Sequence, residues 1–469
     1  MTRAQPDPSV FKAYDIRGIF PTQINEAMAW RVGYGLAQCS MIRSSSQRTI
    51  VIGRDARESS DILFDAFASG ASSGGAEVID IGLCTTPMLY FAVNTLNADG
   101  GVMITASHNP GKYNGFKLDR DQAIPMGSGA GLEEVRTIAM EAHVELGSPH
   151  STTSLHDEIL ERYAHFFGDR FTIELDRIVH IDTGNGSTGA ILPRILEGQG
   201  IQYNPLFFEP NGRFPNHDAN PLVEANLEDL KAAVLASKQS VGMAFDGDGD
   251  RVCFVDGCGN AIRGDLITAL IAEKLLKASP GRKILYDLRS SRVVPQMIRE
   301  AGGEPVKTRV GHAFIKRQMR ELEALAAGEL SYHFYFEEFF YCDGGIYAMF
   351  EILDLLSKTG KSLHELVTPL RQYSHSGEIN FEVGDVRLAM SEIELHFGAA
   401  EVTHLDGLSI DYSDWWLNLR PSNTEPLLRL NLEADSEELM NQRLEEVGSL
   451  LVRFQGEQKQ RNPQQATGK

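Results

Sequence analysis

Positive charge is scarce in this 469-residue chain: 44 Lys and Arg stand against 64 Asp and Glu, a formal charge of −20. That balance excludes a nucleic acid or an anionic membrane as the main partner. It leaves a phosphate ligand open, because a few clustered cations outweigh a distant acid excess at short range. Cysteine is scarce too. The five cysteines (Cys39, Cys84, Cys253, Cys258, Cys342) form no Cys-x-x-Cys pair and no zinc-ligand spacing, which fits a reducing compartment. No apolar run reaches the roughly 18–20 residues a bilayer needs, and Met1 to Pro8 has no apolar signal core. A soluble, cytoplasmic protein is the expectation. Short repeats and long low-complexity blocks are also missing.

Apolar residues make up 42% of the chain, enough for sizeable cores, and the length predicts three or four domains. Short β-branched runs alternate with amphipathic stretches. Thr49 to Ile52, Ala76 to Ile81, Gly101 to Thr105, Ile178 to Asp182, Val241 to Phe245, Val252 to Val255 and Lys283 to Tyr286 read as strands. Leu266 to Ala278 reads as a helix. Such alternation predicts an α/β protein with mixed or parallel sheets covered by helices. Polar stretches suggest boundaries. Glu145 to Ser154 reads as a linker, Asp256 to Asn260 as a turn opening a third unit, and Ser374 to Glu378 as a hinge. The expected units are 1–150, 151–256, 257–374 and 375–455, with a disordered tail over 456–469.

Ligands collect at the carboxyl ends of strands in open α/β sheets, and two motifs fall there. Ser107, in Thr105-Ala-Ser-His-Asn-Pro110, follows a strand. Pro110 restrains Asn109, and Gly111 permits unusual backbone angles, so a rigid, exposed loop is expected. Lys117 can bring a cation to help the weakly nucleophilic hydroxyl. The second motif is Asp246-Gly-Asp248-Gly-Asp250-Arg251. Its period-two spacing places three carboxylates on one side of an extended segment, and all-oxygen ligands suit a hard cation, Mg²⁺ first. An EF-hand loop is excluded, since its sixth position is Arg251 and its twelfth Gly257. Arg251 would face a phosphate held by the metal.

Two further loops read as recognition elements. Glu329, Ser331 and His333 alternate, so an extended loop would aim a carboxylate, a hydroxyl and an imidazole the same way, as vicinal sugar hydroxyls require. Arg420-Pro-Ser422-Asn423-Thr424 offers a guanidinium fork, two hydroxyls and an amide in one turn, a phosphate cradle. Tyr14, Arg17, Arg54 and His312 are lesser candidates, and His312 alone would more often be a satisfied core histidine.

Taken in order, these motifs resemble the α-D-phosphohexomutase superfamily, in its bacterial phosphomannomutase/phosphoglucomutase group. The resemblance runs from Phe11-Lys-Ala-Tyr-Asp-Ile-Arg-Gly18 to Arg420-Pro-Ser-Asn-Thr-Glu-Pro426, through Asp182-Thr-Gly-Asn-Gly186, Phe214-Pro-Asn-His217 and Val310-Gly-His-Ala-Phe-Ile-Lys316. It implies three related mixed α/β domains plus a smaller α+β C-terminal domain around a central active-site cleft. It implies a phosphoserine at Ser107, with Mg²⁺ held by Ser107, Asp246, Asp248 and Asp250. The reaction implied interconverts hexose 1- and 6-phosphates of mannose or glucose through a hexose 1,6-bisphosphate, which also serves as activator. Glu329 and Ser331 would read sugar hydroxyls, and Arg420, Ser422, Asn423 and Thr424 would hold the non-reacting phosphate. Arg17, Lys117, Arg251, His312 and His333 would contact phosphate or move protons, with Tyr14 and Arg429 completing the substrate-binding set. Partners would be small hexose phosphates, and the assembly a monomer or homodimer.

Three positions depart from the family pattern: Tyr332 where a small residue is common, Asp343-Gly344 where two aspartates are common, and Arg289 where lysine is common. Tyr332 is expected to narrow the sugar pocket. The alternatives are a phosphoglucosamine mutase, a sugar-phosphate phosphatase and a silent sugar-phosphate sensor. Tyr14-Asp-Ile-Arg17 disfavours the first. Ser107 and both recognition loops disfavour the second, and intact Ser107 with three aspartates disfavours the third.

Overall fold

The computed structural model describes residues 6–42, 48–147, 151–237, 239–421 and 427–454. Three of its four sheets repeat one plan. In the first, Arg48–Arg54, Ala76–Leu83 and Gly100–Ile104 run parallel, and Tyr113–Arg120 returns antiparallel to the last. In the second, Val179–Asp182, Tyr203–Leu206 and Val241–Phe245 are parallel, and Val252–Val255 returns. In the third, Lys283–Asp287, Glu304–Thr308 and Ala326–Gly328 are parallel, and Phe334–Phe336 returns.

Parallel neighbours need crossover connections, and each sheet has two helical ones. They are Ser60–Ser73 and Thr86–Thr95, then Thr188–Leu196 and Glu228–Ala236, then Val293–Glu300 and His312–Leu322. Covered on both faces, the central strands read as unbroken apolar runs; all five residues of Gly100–Ile104 and of Val241–Phe245 are buried. The fourth sheet is wholly antiparallel: Ser374–Glu382, Leu427–Ala434, Trp415–Pro421, Leu408–Asp411 and Glu401–Thr403, in that order. Helices Val386–His396 and Glu437–Val452 accompany it, and its core centres on Trp415, Leu417, Leu430 and Leu432. The fold is thus three mixed α/β domains and a smaller C-terminal domain, as expected.

The repeat has a functional consequence. In each α/β unit the last parallel strand turns into the antiparallel return at one equivalent place, and the three turns are residues 105–112, 246–251 and 329–333. These are the serine, aspartate and glutamate motifs. Each unit also has, at the end of a parallel strand or one residue beyond it, an aspartate whose carboxylate accepts the N–H two residues on: Asp55 from Arg57, Asp182 from Gly184 and Asp287 from Arg289. The repeat lies in geometry, not in letters, so a search for short sequence repeats passes over it.

The three stretches expected at boundaries carry regular structure. The stretch read as a first linker contributes the strand Thr152–Ser154, paired with Ala76–Leu83 in the first sheet. Asp256 to Asn260 is a hairpin turn, after which Ala261–Ile262 pairs back onto Val252–Val255. Asp256 tightens it by accepting the N–H groups of Cys258 and Asn260, each at 3.0 Å. Ser374 to Glu378 lies within a strand, with Ser374 opposite Ala434. The expected tail, 456–469, lies outside the described residues. No helix among the described residues is long and apolar enough to cross a membrane.

Candidate active site

Ser107 sits in the left-handed region, φ 51°. It is only 2% exposed, not open as the loop composition suggested, because the aspartate turn of the second domain closes over it. A Cβ on Gly247 would lie 2.6 Å from the Ser107 carbonyl oxygen, so glycine there permits the approach. Ser107 Oγ donates to Asp246 Oδ2 at 3.0 Å. It also lies 3.2 Å from His108 Nδ1. Burial, then Arg251 and Arg17, holds the His108 imidazole neutral.

The three aspartates converge because their segment is a tight turn, not an extended strand: Gly249 has φ 72°, and its N–H donates to the Asp246 carbonyl. Asp248 is fixed from the first domain, where Thr86 donates its hydroxyl to Oδ2 at 2.6 Å and its N–H to the backbone carbonyl. Lys117, on the strand Tyr113–Arg120, donates to Asp248 Oδ2 at 2.6 Å and Asp250 Oδ2 at 2.5 Å. Burial opposes charge on Lys117, but Asp248, Asp250 and Asp246 outweigh it and raise its pKa. Burial, then repulsion from Asp250 and Asp248, pushes Asp246 well above the usual carboxylate range. Asp250 resists its own burial through Lys117 and His333 and is held well below it.

This turn fits a metal ion. One oxygen from each of Asp246, Asp248 and Asp250 lies within 4.8 Å of the others, all buried. Asp248 Oδ1 is buried without a hydrogen bond, and Asp250 Oδ1 meets the His333 ring at 3.3 Å. A buried carboxylate oxygen left without a donor is costly unless a cation meets it, and an all-oxygen set favours a hard one.

The glutamate motif is likewise a tight turn. Tyr332, at φ 69°, donates its N–H to the Glu329 carbonyl. Glu329 and His333 still meet, Oε2 to Nδ1 at 3.2 Å, through that turn and not through strand alternation. Glu329 accepts from Gly311 N at 3.1 Å and Tyr335 Oη at 2.6 Å. Burial opposes its charge, but His333 and Tyr335 outweigh burial and hold it below the carboxylate range. His333 faces Asp250 Oδ1 at 3.3 Å on its other side. Burial and Arg251 work against its charge, yet Asp250 and Glu329 raise it to about 9. Ser331 Oγ is 3.4 Å from His333 Nδ1. Arg251 lies with its Nε 3.2 Å from His333 Nε2 and 3.9 Å from Asp246 Oδ2.

Tyr332 does not narrow a sugar pocket. It is buried in a core cluster that runs through the first three domains, with its ring against Gly264, and its carbonyl accepts from Val252 N at 3.2 Å. The hydroxyl-bearing turn is thereby stitched to the strand leaving the aspartate turn.

Tyr14, Arg17 and His312 join the same cluster. Arg17 donates to Asn109 Oδ1 at 2.8 Å and pairs with Asp15. His312, first residue of its helix, has ring centroids 5.9 Å from Tyr14 and 6.4 Å from His333. Burial, then Lys316 and Lys117, keeps it neutral, and its Nδ1 is a buried atom without a hydrogen bond.

Arg420 lies on the fourth sheet beside Arg429, its register partner. With Arg289 they surround one carboxylate, Glu378, at 3.6, 3.4 and 3.6 Å for Arg420, Arg429 and Arg289. Nε of Arg420 and of Arg429 are buried without a protein acceptor. Burial, then Arg289, lowers the Arg420 pKa. Three guanidiniums on one carboxylate leave a net-positive pocket suited to a dianion. It connects to the glutamate turn through Asp287, which accepts from Arg289 and, at 2.8 Å, from Leu330 N. Ser422, Asn423 and Thr424 lie outside the described residues.

Comparison with known proteins matches every one of these domains. The description phosphoglucomutase/phosphomannomutase applies to alpha/beta/alpha domain I over residues 8–142, domain II over 161–259, domain III over 263–373 and the C-terminal domain over 378–449. The chain belongs to the phosphoglucomutase/phosphomannomutase family. A phosphomannomutase of Methanocaldococcus jannaschii is 40% identical over 455 residues, covering 96% of this chain and 98% of that protein. Proteins described as phosphohexose mutases from Xanthomonas campestris are 40% identical over 447 residues, covering 94% and 98%. The crystal structure of a family member from Burkholderia thailandensis superposes with a TM-score of 0.85 at 30% identity, covering 96% and 98%. The protein is thus an isomerase-type phosphotransferase.

Several residues in this phosphohexomutase site escaped the motif reading. Thr86, Tyr335 and Glu378 have no sequence signal that separates them from ordinary polar residues. Asp55-Ala-Arg57 and Asp287-Leu-Arg289 do: each follows a strand end, the same signal that singled out Ser107 and Asp246.

Proposed function

We propose that this enzyme interconverts hexose 1-phosphate and hexose 6-phosphate, mannose and glucose being the candidate sugars, with Ser107 carrying the phosphoryl group. The observation that carries this reading is Ser107 Oγ, 3.0 Å from Asp246 Oδ2 in a buried turn with the Lys117 ammonium spanning Asp248 and Asp250. Phosphoryl transfer asks mainly for positioning and charge neutralisation, which is what such a constellation supplies. Mg²⁺, bound by Asp246, Asp248, Asp250 and a phosphoserine oxygen, would neutralise charge on the transferring group.

In the forward half-reaction a hexose hydroxyl oxygen forms a bond to phosphorus as the bond from phosphorus to Ser107 Oγ breaks. Neutral His312 accepts the hydroxyl proton, and the serine leaves as an alkoxide neutralised by that site's cations. The product is a hexose 1,6-bisphosphate. Reoriented, its other phosphate returns to Ser107 by the reverse step, so atoms and charge balance over the cycle. Glu329 and Ser331 orient the sugar hydroxyls, and Arg289, Arg420 and Arg429 hold the phosphate that is not reacting.

The test is a coupled assay with Mg²⁺ and a trace of hexose 1,6-bisphosphate. Mannose 1-phosphate and glucose 1-phosphate are compared while free phosphate is followed. Conversion to 6-phosphates without phosphate release is expected, and kcat/KM ranks the sugars. Phosphate release without isomerisation would refute the mutase reading.

A further inference from the structure

Ser107 is a non-glycine residue in a left-handed conformation, and something must hold it there. Thr105 Oγ1 accepts the Ser107 N–H at 2.8 Å and donates to Asp55 Oδ2 at 2.7 Å. The larger device is Arg57, whose side chain is fully buried. Its Nη1 donates to the carbonyls of Pro110 and Tyr113 at 2.8 and 3.1 Å. Its Nη2 donates to those of Ser107 and Asn109 at 2.8 and 2.6 Å. Nε donates to Asp55 Oδ2 at 2.9 Å, so all five guanidinium N–H groups have acceptors.

We propose that Arg57 is the positioning residue for the reactive serine. By collecting four carbonyls of residues 107–113 on one side, it turns those acceptors away from the face where Ser107 Oγ points. A phosphoryl group placed there meets no carbonyl dipole repelling its oxygens, and the left-handed turn is over-determined. The neighbouring domain completes the clamp: a Cβ on Gly212 would fall 2.3 Å from Arg57 Cα, and one on Gly111 would fall 2.5 Å from the Gly212 carbonyl oxygen. Arg289 sits at the equivalent strand end of the third domain with the same carboxylate pairing, yet it points to Glu378 and its free cationic pocket. One Asp-x-Arg device thus serves in two ways, holding a loop in the first domain and facing an anion in the third.

Lysine cannot replace this fork, since three donors on one nitrogen cannot serve the four carbonyls that two guanidinium nitrogens reach. The inference rests on the phosphoserine reading, and one experiment separates the two. Purified protein is incubated with Mg²⁺ and phosphorus-labelled glucose 1,6-bisphosphate, and label on Ser107 is followed in single turnover beside steady-state kcat, KM and thermal unfolding. In Arg57→Lys the labelling rate and kcat should fall on the order of 100-fold, as expected for a displacement of about 1 Å, with KM within about 3-fold by the same reasoning. Should that variant not fold, Thr105→Val gives the same readout with the guanidinium in place. An unlabelled wild type would refute the phosphoserine reading itself. A labelled wild type with folded variants labelled at the same rate, or with kcat and KM lost in parallel with stability, would overturn the role of Arg57 alone.

Discussion

Replacing Arg420 by alanine tests the anion pocket most directly. The side chain is 16% exposed and 3.6 Å from Glu378, the carboxylate it shares with Arg289 and Arg429. Its Nε has no protein acceptor, so a donor is available to a ligand at no cost to an existing bond. A charge-assisted hydrogen bond to phosphate contributes about 1.5–3 kcal/mol, which is about a 10- to 150-fold change in binding. On the proposed reading the phosphate held here is not the one being transferred, so the loss should appear in ground state and transition state alike. KM for hexose 1-phosphate should rise by about 10- to 150-fold with kcat changed less than about 3-fold, the signature of uniform binding. Remaining charge on Arg289 and Arg429 should leave the residual binding sensitive to salt, so the wild type and variant should converge as ionic strength rises. The assay is initial-rate kinetics at two salt concentrations. An unchanged KM, or a loss confined to kcat, would remove this pocket from the substrate site.

Ser107→Ala should abolish turnover while leaving thermal unfolding near that of the wild type, because among the described residues its hydroxyl is partnered by Asp246 and His108; near-normal turnover would end the phosphoserine reading. Asp248→Asn should lower divalent-ion affinity and activity together, and removal of metal by a chelator should stop turnover reversibly on Mg²⁺ return; titration calorimetry with Mg²⁺ showing unchanged affinity would count against the aspartate turn as the metal site. His375, held between Arg289 O at 3.2 Å and Gly377 N at 2.9 Å, is lowered to about 4 by burial and then Arg263. A neutral histidine in the fold takes up its proton only on unfolding, so its contribution is complete above pH 6.5 and is lost as pH falls through 6.5 towards 4. That shift amounts to about 3 kcal/mol, and His375→Gln should flatten urea-unfolding stability between pH 7 and 4.5; an unaltered pH dependence would refute the assignment.

Much of this site was legible before any coordinate. Strand-end placement picked out Ser107 and Asp246, and three aspartates with no EF-hand completion specified a hard cation site. Helix Leu266 to Ala278 and the central strands are set by local apolar patterning, which depends on residues a few positions apart. The same locality explains the errors. Period-two spacing suggested extended segments at 246–250 and 329–333, but Gly249 and Tyr332 adopt positive φ, and the side chains converge through turns. Composition suggested an exposed serine loop, but the cover over Ser107 comes from Gly247, far along the chain.

The sequence by itself determined the chemistry present, the fold class and the order of the functional loops, since these reside in residue identity and in short-range periodicity. Tertiary structure decided what those residues do to one another. It brought Lys117 onto Asp248 and Asp250 across two domains, gathered Arg289, Arg420 and Arg429 around Glu378, and turned Tyr332 into the core. It also placed Arg57 beneath the serine loop. Each of these is a long-range contact whose energy depends on distance and burial, and neither quantity is written in local sequence.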